Sequence, residues 1–374
     1  MKNNKLFAVI VFVVVIINLF SIESFAENEE TGDYFSEDSG AYTLIENLDD
    51  ETRDILSSLG IDEVDFEQIY QVSPQRIITV FLNILKGKIF SPLKLLLIII
   101  VIEIFQSVCE SAVSEKNKQI FNAVFTLLIL TAAVVPVINL ISDACSNILL
   151  TNEFMISFIP VYAVLLSSTG NFTQAINFNT ALFSASQFIV SFVKTYLLPL
   201  MSVYLCINIA SVINPVVKLK NTSSVIKKTV TVILSCASVI FIGFLSVKGS
   251  IASNIDAVAI RGIRTVTGAF IPYIGSSLAD AYASLAGSLS LINKSVGFLG
   301  IIIIFIMNIP IISELFLYYL SLHIGYIVGD MLGNENSKSL DLLADVLSLI
   351  NIIVIFTMVV FIVSIGIVIK AKAG

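Results

Sequence analysis

The residues best placed to do chemistry in this 374-residue chain are ionisable groups set inside apolar runs. Glu103, Gln106 and Glu110 stand at i, i+3 and i+7, which puts them on one stripe of a helix. Glu314, Tyr318 and Ser321, at i, i+4 and i+7, form a second such stripe, with His323 close behind. An ionisable side chain inside lipid costs about a few kcal/mol and usually faces a bundle interior or a wet cavity. Glu103, Gln106 and Glu314 are therefore candidates for a lined pathway or for a polar contact between helices. The competing reading is a group near the headgroups that reaches out to water, and Lys194 and His323 fit that better. A third set is small-sided. Across Gly275–Ser288, the residues Ser277, Asp280, Ser284 and Gly287 share a helical face. Small residues let backbones approach closely, so this face reads either as tight packing or as part of a substrate or pore wall. Pro160 and Pro272 each open such a run, and they are expected to meet near the centre of the bundle.

Conventional catalytic constellations are missing from the sequence. There is no HExxH, GxSxG or Walker A pattern, and His323 is the single histidine. The four cysteines (Cys109, Cys145, Cys206, Cys236) are far apart and form no CxxC. They read as small buried hydrophobes. No catalytic residue, cofactor or metal site is expected, because zinc and haem need ligands this chain does not have.

The elements that must position these residues follow from composition. The chain is 56% hydrophobic and 13% charged, with a mean hydropathy of +0.95. Soluble proteins carry about 25% charged residues, so the solvent here is lipid. Uninterrupted apolar stretches of span length predict an all-α polytopic membrane protein, and the absence of alternation argues against a β-barrel. Clean runs lie at about 90–109, 119–141, 193–213, 228–248, 296–322 and 343–369. Two runs, about 156–190 and 270–292, are broken by Pro, Gly, Ser and Asn. There are six spans if the broken runs are re-entrant and eight if each crosses.

Charge is uneven. From Glu27 to Glu67 there are 15 acids and one base, while the rest of the chain sums to +7. No basic soluble patch exists for nucleic acid. Residues 1–26 read as a signal peptide, with Lys2 and Lys5, an apolar centre and Ser24-Phe25-Ala26, or else as an uncleaved anchor. Residues 27–75 are then an acidic extracytoplasmic segment with short helices: Asp49 or Asp50 caps one that Gly60 ends, and Asp65 begins a turn. Residues 76–88 form an interfacial amphipathic helix after Ser73-Pro74, with Ile77, Ile78, Phe81, Leu82 and Leu85 on one side. Residues 89–374 are the polytopic domain. Lys116 and Lys118, then Lys218, Lys220, Lys227 and Lys228, place two loops in the cytoplasm; Arg261, Arg264, Lys370 and Lys372 conflict with that pattern.

The domain also repeats itself. Phe158-Ile159-Pro160 recurs as Phe270-Ile271-Pro272, and Pro199 recurs as Pro310, at nearly constant offset. Clean spans and polar connections (Ser142–Glu153, Lys248–Thr267) keep the same order. The repeat units run over about 119–227 and 228–342, with 343–369 as a final span. Duplication and broken helices are also the marks of secondary transporters.

Gly268-Ala269-Phe270-Ile271-Pro272-Tyr273-Ile274-Gly275, Leu278-Ala279-Asp280-Ala281, Gly287-Ser288 and Lys294-Ser295-Val296-Gly297 resemble the stage III sporulation protein AE family of endospore-forming bacteria. The order of parts agrees along nearly the whole chain. The resemblance implies a multi-pass protein of the mother-cell membrane around the forespore, in an apparatus encoded by the stage III sporulation A operon. It implies as partners the other proteins of that operon, including a separate ATPase, and indirectly stage II sporulation protein Q. It carries no catalytic residues. A self-sufficient transporter or permease is the alternative.

Overall fold

A computed structural model describes residues 43–61, 74–110, 112–114, 117–168, 172–213, 223–234, 236–237 and 275–371; within 275–295 it describes backbone only. The expected signal peptide, the acidic stretch before Thr43, the Asp65 turn, Arg261, Arg264, Pro272 and most of the expected span 228–248 lie outside these residues.

The described chain is helical: α1 (Thr43–Glu46), α2 (Asp50–Leu59), α3 (Pro74–Lys88), α4 (Phe90–Glu110), α5 (Lys118–Ser168), α6 (Phe172–Phe192), α7 (Leu198–Ile213), α8 (223–234), α9 (Gly275–Met331) and α10 (Lys338–Ala371). Among these residues, five helices are long and apolar enough to cross a bilayer. The chain is an all-α polytopic membrane protein.

Local chemistry sets the ends of the small helices. Asp49 caps α2 by accepting from Thr52 N (3.1 Å) and Thr52 Oγ1 (2.7 Å). Gly60, at φ +83°, stops it in the left-handed conformation that glycine adopts without strain. α3 begins on Pro74, whose missing N–H would have no partner in a first turn. Its Val80 points into the core, while Ile78, Phe81 and Leu82 stay exposed, an outward apolar face of the kind that lies on a membrane surface. Arg76 Nε donates to Ser58 O (3.0 Å) and ties α3 to α2.

The long helices are inside-out relative to a soluble bundle. On α4, Leu95, Ile99, Glu103 and Gln106 are buried, while Leu97, Val101, Phe105 and Val108 face outward. α9 and α10 form the most enclosed hairpin. Gly333, at φ +83°, and a 3-10 turn over Glu335–Ser337 join them. At one end of the bundle, Gln106 and Asn122 bracket the α4–α5 connection and Asn122 meets Asn336 in the α9–α10 turn. Asn208 meets Ser223 and Leu342 one turn into α10, which brings α7 and the start of α8 to that same end. α2 sits at the opposite end of α4, where Lys88 meets Glu51.

Several expectations need correction. Ser142–Glu153 is not a connection. α5 runs unbroken through it for 51 residues, past Pro136 and Pro160. Asn147 and Thr151 bond across the bundle to Asn308 instead of ending the helix, and Asn152 is buried beside them. The broken run at 270–292 and the span at 296–322 are likewise one helix wherever described, since α9 continues for 57 residues through Gly297 and Pro310. Away from water, backbone groups released by a break have no solvent partner, and this favours continuity. A helix of 51 residues is about 76 Å long if straight, more than twice the roughly 30 Å of hydrocarbon. The two apolar lengths of α5 thus meet at a polar belt, not a loop. The first broken run does stop where Ser168 ends α5 and Phe172 starts α6. Pro199 and Pro310 differ locally. A π turn over Val193–Leu197, with Leu198 N–H reaching Val193 O, precedes the exposed Pro199, whereas Pro310 is buried in regular helix. The cysteines are not core residues either: Cys206 and Cys236 are exposed, and Cys109 and Cys145 are half-buried.

Candidate functional site

The arrangement with most chemical potential lies where α4 meets the α9–α10 turn. α4 carries Glu103 and Gln106 on its buried face, and both are fully enclosed. The turn brings Asn334 onto them. Its Nδ2 donates to Glu103 Oε2 at 2.6 Å and to the Glu103 backbone carbonyl at 2.9 Å. Asn334 is held in place because its own N–H caps Gly329 O (2.9 Å) and its carbonyl accepts from Ser337 Oγ (2.8 Å). Gly329 leaves room for the carboxylate: a Cβ there would lie 2.7 Å from Glu103 Cδ and 2.5 Å from Ser337 Cβ. One helical turn further along α4, Gln106 Nε2 donates to Asn122 Oδ1 (3.4 Å), and Asn336 Nδ2 donates to Asn122 O (2.8 Å). Glu103 Oε1, Gln106 Oε1 and Asn334 Oδ1 remain buried without a hydrogen-bond donor. Among the described residues no three of His, Cys, Asp and Glu gather. The site therefore offers one carboxylate and carboxamide oxygens.

Glu314 does not join this site. It lies at the other end of α4, where Lys88 Nζ sits 3.1 Å from Glu51 and 3.6 Å from Glu314. Burial acts to lower the Lys88 pKa, but the hydrogen bonds and charges of Glu51 and then Glu314 outweigh it and hold it above the ordinary lysine value. Glu314 is thus a clamp between the membrane bundle and α2–α3. His323 stacks on Tyr319 (5.7 Å between centroids), with Nδ1 3.3 Å from Asp341 Oδ1; this is ion-pair separation without hydrogen-bond alignment. Pro160 is exposed on α5. Its neighbour Phe158 and, further on, Tyr162 pack onto Gly300 and Gly297 of α9. The expected meeting of Pro160 with Pro272 falls outside the described residues. Asp280, Ser284 and Gly287 lie on α9 where only the backbone is described.

Three polar contacts were not foreseen from the sequence. Asn334 closes over Glu103 from a polar turn. Asn147 Nδ2 donates to Asn308 Oδ1 (2.8 Å), and Asn308 Nδ2 to Thr151 Oγ1 (3.2 Å), in the belt between α5 and α9. Lys227 pairs with Asp345. An asparagine within an apolar run was the available signal for Asn308.

These helices, in this order, match a described protein family. The family model for Stage III sporulation protein AE matches residues 59–372, which takes in α3 to α10 and the contacts of Glu103, Asn308 and Asp345 described above. A Stage III sporulation protein AE from Bacillus subtilis (strain 168) is 25% identical over 238 residues, covering 63% of this chain and 58% of that protein. The match thus spans less than two thirds of that relative's length. No solved structure matches. With the family model spanning the whole polytopic domain, the chain belongs to the stage III sporulation protein AE family.

Proposed function

We propose that this chain is a non-enzymatic membrane subunit of the stage III sporulation channel or secretion-like apparatus between mother cell and forespore, and that endospore formation requires it. The observation that carries this reading is the family match over residues 59–372. In this reading the protein sits in the mother-cell membrane surrounding the forespore. The acidic segment 27–75 lies in the space between the two membranes, and the lysine-bearing connections lie in the mother-cell cytoplasm. The placement of α2 and of the α4–α5 connection at opposite ends of α4 supports that polarity. The partners are the other proteins of the stage III sporulation A operon, with ATP used by a different subunit, and indirectly stage II sporulation protein Q.

A clean deletion in the native host tests the role. Heat-resistant spore counts should collapse while vegetative growth is unchanged; normal spore counts would overturn it. The second reading, a self-sufficient secondary transporter, is favoured by the buried Glu103 carboxylate with its unpaired oxygen, because such groups commonly mark ion or substrate paths. Solute uptake by the purified chain alone in liposomes would favour that reading.

A further inference from the structure

We infer that the bilayer grips only one half of the helical bundle, and that the other half stands clear of the lipid, on the side of α2, as a water-facing projection. The inference concerns how the chain sits in its membrane and holds under either functional reading. α5 and α9 run antiparallel and stay packed along their length. Asn122 meets Asn336 beyond the end of α9, Asn147 meets Asn308, and Phe158 and Tyr162 meet Gly300 and Gly297, with Ile365 and Ile369 of α10 alongside. Asn122 and Tyr162 are 40 positions apart on one helix, about 60 Å at about 1.5 Å per residue. Inclined at about 20°, the average for a membrane helix, that length still rises about 56 Å. The hydrocarbon is about 30 Å thick, and about 40–45 Å with the headgroups. One bilayer does not cover this bundle.

An ion cluster marks where the lipid ends. Lys88 holds Glu51 of α2 and Glu314 of α9. Glu314 lies 17 positions from Gly297 and 15 from Gly329, so the cluster sits at mid-height of the packed length of α9. α2 is a wet helix, with the Arg53 and Asp50 side chains 47% and 99% exposed. A charged, hydrated helix docked at mid-height is incompatible with a membrane centred there, so the lipid surface passes through that level. α4 supports the same boundary. It follows Lys88, and its 21 residues span about 31 Å, one hydrocarbon thickness.

The outer surface changes character at this height. On the α4 side of the boundary it is apolar: Leu97, Val101 and Phe105 on α4, and Val124, Leu127 and Val135 on α5. The exposed Thr131 hydroxyl there bonds back to Leu127 O (2.7 Å). Lys94, one turn into α4, reaches the boundary with its flexible stem. Beyond Ile138 the outward face of α5 carries Asn139, Ser142, Asp143, Ser146, Glu153 and Ser157. α6 packs beside α5 and turns Asn179, Thr180, Ser184 and Ser191 outward. A hydroxyl in lipid can bond to its own helix, but the carboxylates of Asp143 and Glu153 only accept and call for water. The apolar side chains left outward here (Leu150, Val164, Ile176, Phe183 and Phe188) stand among these polar neighbours, as on a soluble surface. Most of the first broken run, about 156–190, thus belongs to the projection.

The test uses the full-length chain reconstituted in liposomes, with Cys109, Cys145, Cys206 and Cys236 replaced and one new cysteine carrying a nitroxide. Relaxation by dissolved oxygen, which concentrates in lipid, is compared with relaxation by a water-soluble nickel chelate. The comparison does not depend on which way the chain inserts. Asp50→Cys on α2 sets the water reference and Leu127→Cys the lipid reference; all the positions used are exposed, so the core packing is untouched. For Ser146→Cys, Ser157→Cys and Ser184→Cys, the nickel-to-oxygen ratio should lie within about twofold of Asp50→Cys and about tenfold above Leu127→Cys, since the chelate is excluded from hydrocarbon. Val135→Cys should follow the lipid reference. Oxygen-dominated relaxation at Ser157 and Ser184 would put the far half in lipid and overturn the proposal. Protection of those positions from both reagents would overturn it as well, because the face would then be covered and not wet.

Discussion

Replacing Gly300 with alanine puts a methyl group where an aromatic ring already lies. A Cβ at Gly300 would sit 2.5 Å from Phe158 Cε2, 2.7 Å from Phe158 Cζ and 3.2 Å from Ile365 Cδ1. Phe158 and Ile365 are both fully buried, and the Phe158 ring is stacked on Tyr162 at 5.4 Å, so neither can swing into free space. Overpacking of this kind costs about 1–3 kcal/mol. Alanine also gains about 1 kcal/mol over glycine in helix propensity. The net expectation for Gly300→Ala is a loss of up to about 2 kcal/mol. Gly366→Ala is the control, because a Cβ there meets nothing within 4 Å. It should be neutral or stabilising by up to about 1 kcal/mol. The assay is thermal denaturation of the detergent-purified full chain. Phe158→Leu in the Gly300→Ala background should recover stability relative to the sum of the single changes, because the two sites are in contact. If Gly300→Ala melts at or above the unaltered protein, or if the double variant is simply additive, α5 does not pack on α9 at Gly300.

Lys88 docks the acidic helix onto the bundle, so Lys88→Gln should speed hydrogen exchange across Asp50–Leu59 at neutral pH. With its folded pKa above the ordinary lysine value of 10.5, this contribution is fully present below that value and is lost only as pH rises through the higher folded one; exchange of α2 that loosened between pH 6 and 9 through Lys88 would contradict the pairing. Asn308→Leu leaves Asn147 and Thr151 without their cross-bundle partner and should lower stability by about 0.5–2 kcal/mol, with Asn147→Leu in the same chain recovering part of it; additive melting shifts would refute the contact. In a background lacking Cys109, Cys145, Cys206 and Cys236, a cysteine replacing Ser39 should react with an impermeant thiol reagent from the outer side and one replacing Ser114 only from the cytoplasm; the reverse pattern would invert the topology.

The parts of the fold legible in the sequence are those specified by local chemistry. The Asp49 cap and the Gly60 stop announce α2 because both act within one turn. The Glu103–Gln106 stripe is legible because polar groups on an apolar helix have few places to go except inward. The Ser142–Glu153 stretch misleads because its polar residues look like a loop. The better signal was periodic: Leu140, Ala144, Ile148, Thr151, Met155, Phe158 and Tyr162 are all buried, and they continue one helical face straight through the belt. Asn334 could not be found at all, since it bonds to a residue 231 positions earlier and its own surroundings are an ordinary polar turn. Glu314 looks equivalent to Glu103 in the sequence because each heads a polar stripe at helical spacing in an apolar run. Its partner Lys88 sits just before α4, so the end of the bundle it occupies depends on how α9 runs beside α4, and spacing within one helix does not reveal that.

The central claim, that this chain works as one subunit of a larger sporulation apparatus, is tested most directly by isolating it at its natural level from membranes of sporulating cells in mild detergent. The account predicts that it co-purifies with the other products of the stage III sporulation A operon, the separate ATPase among them, and that the chain alone moves no solute in liposomes. Recovery of the chain free of those partners, together with solute transport by the purified protein on its own, would contradict it.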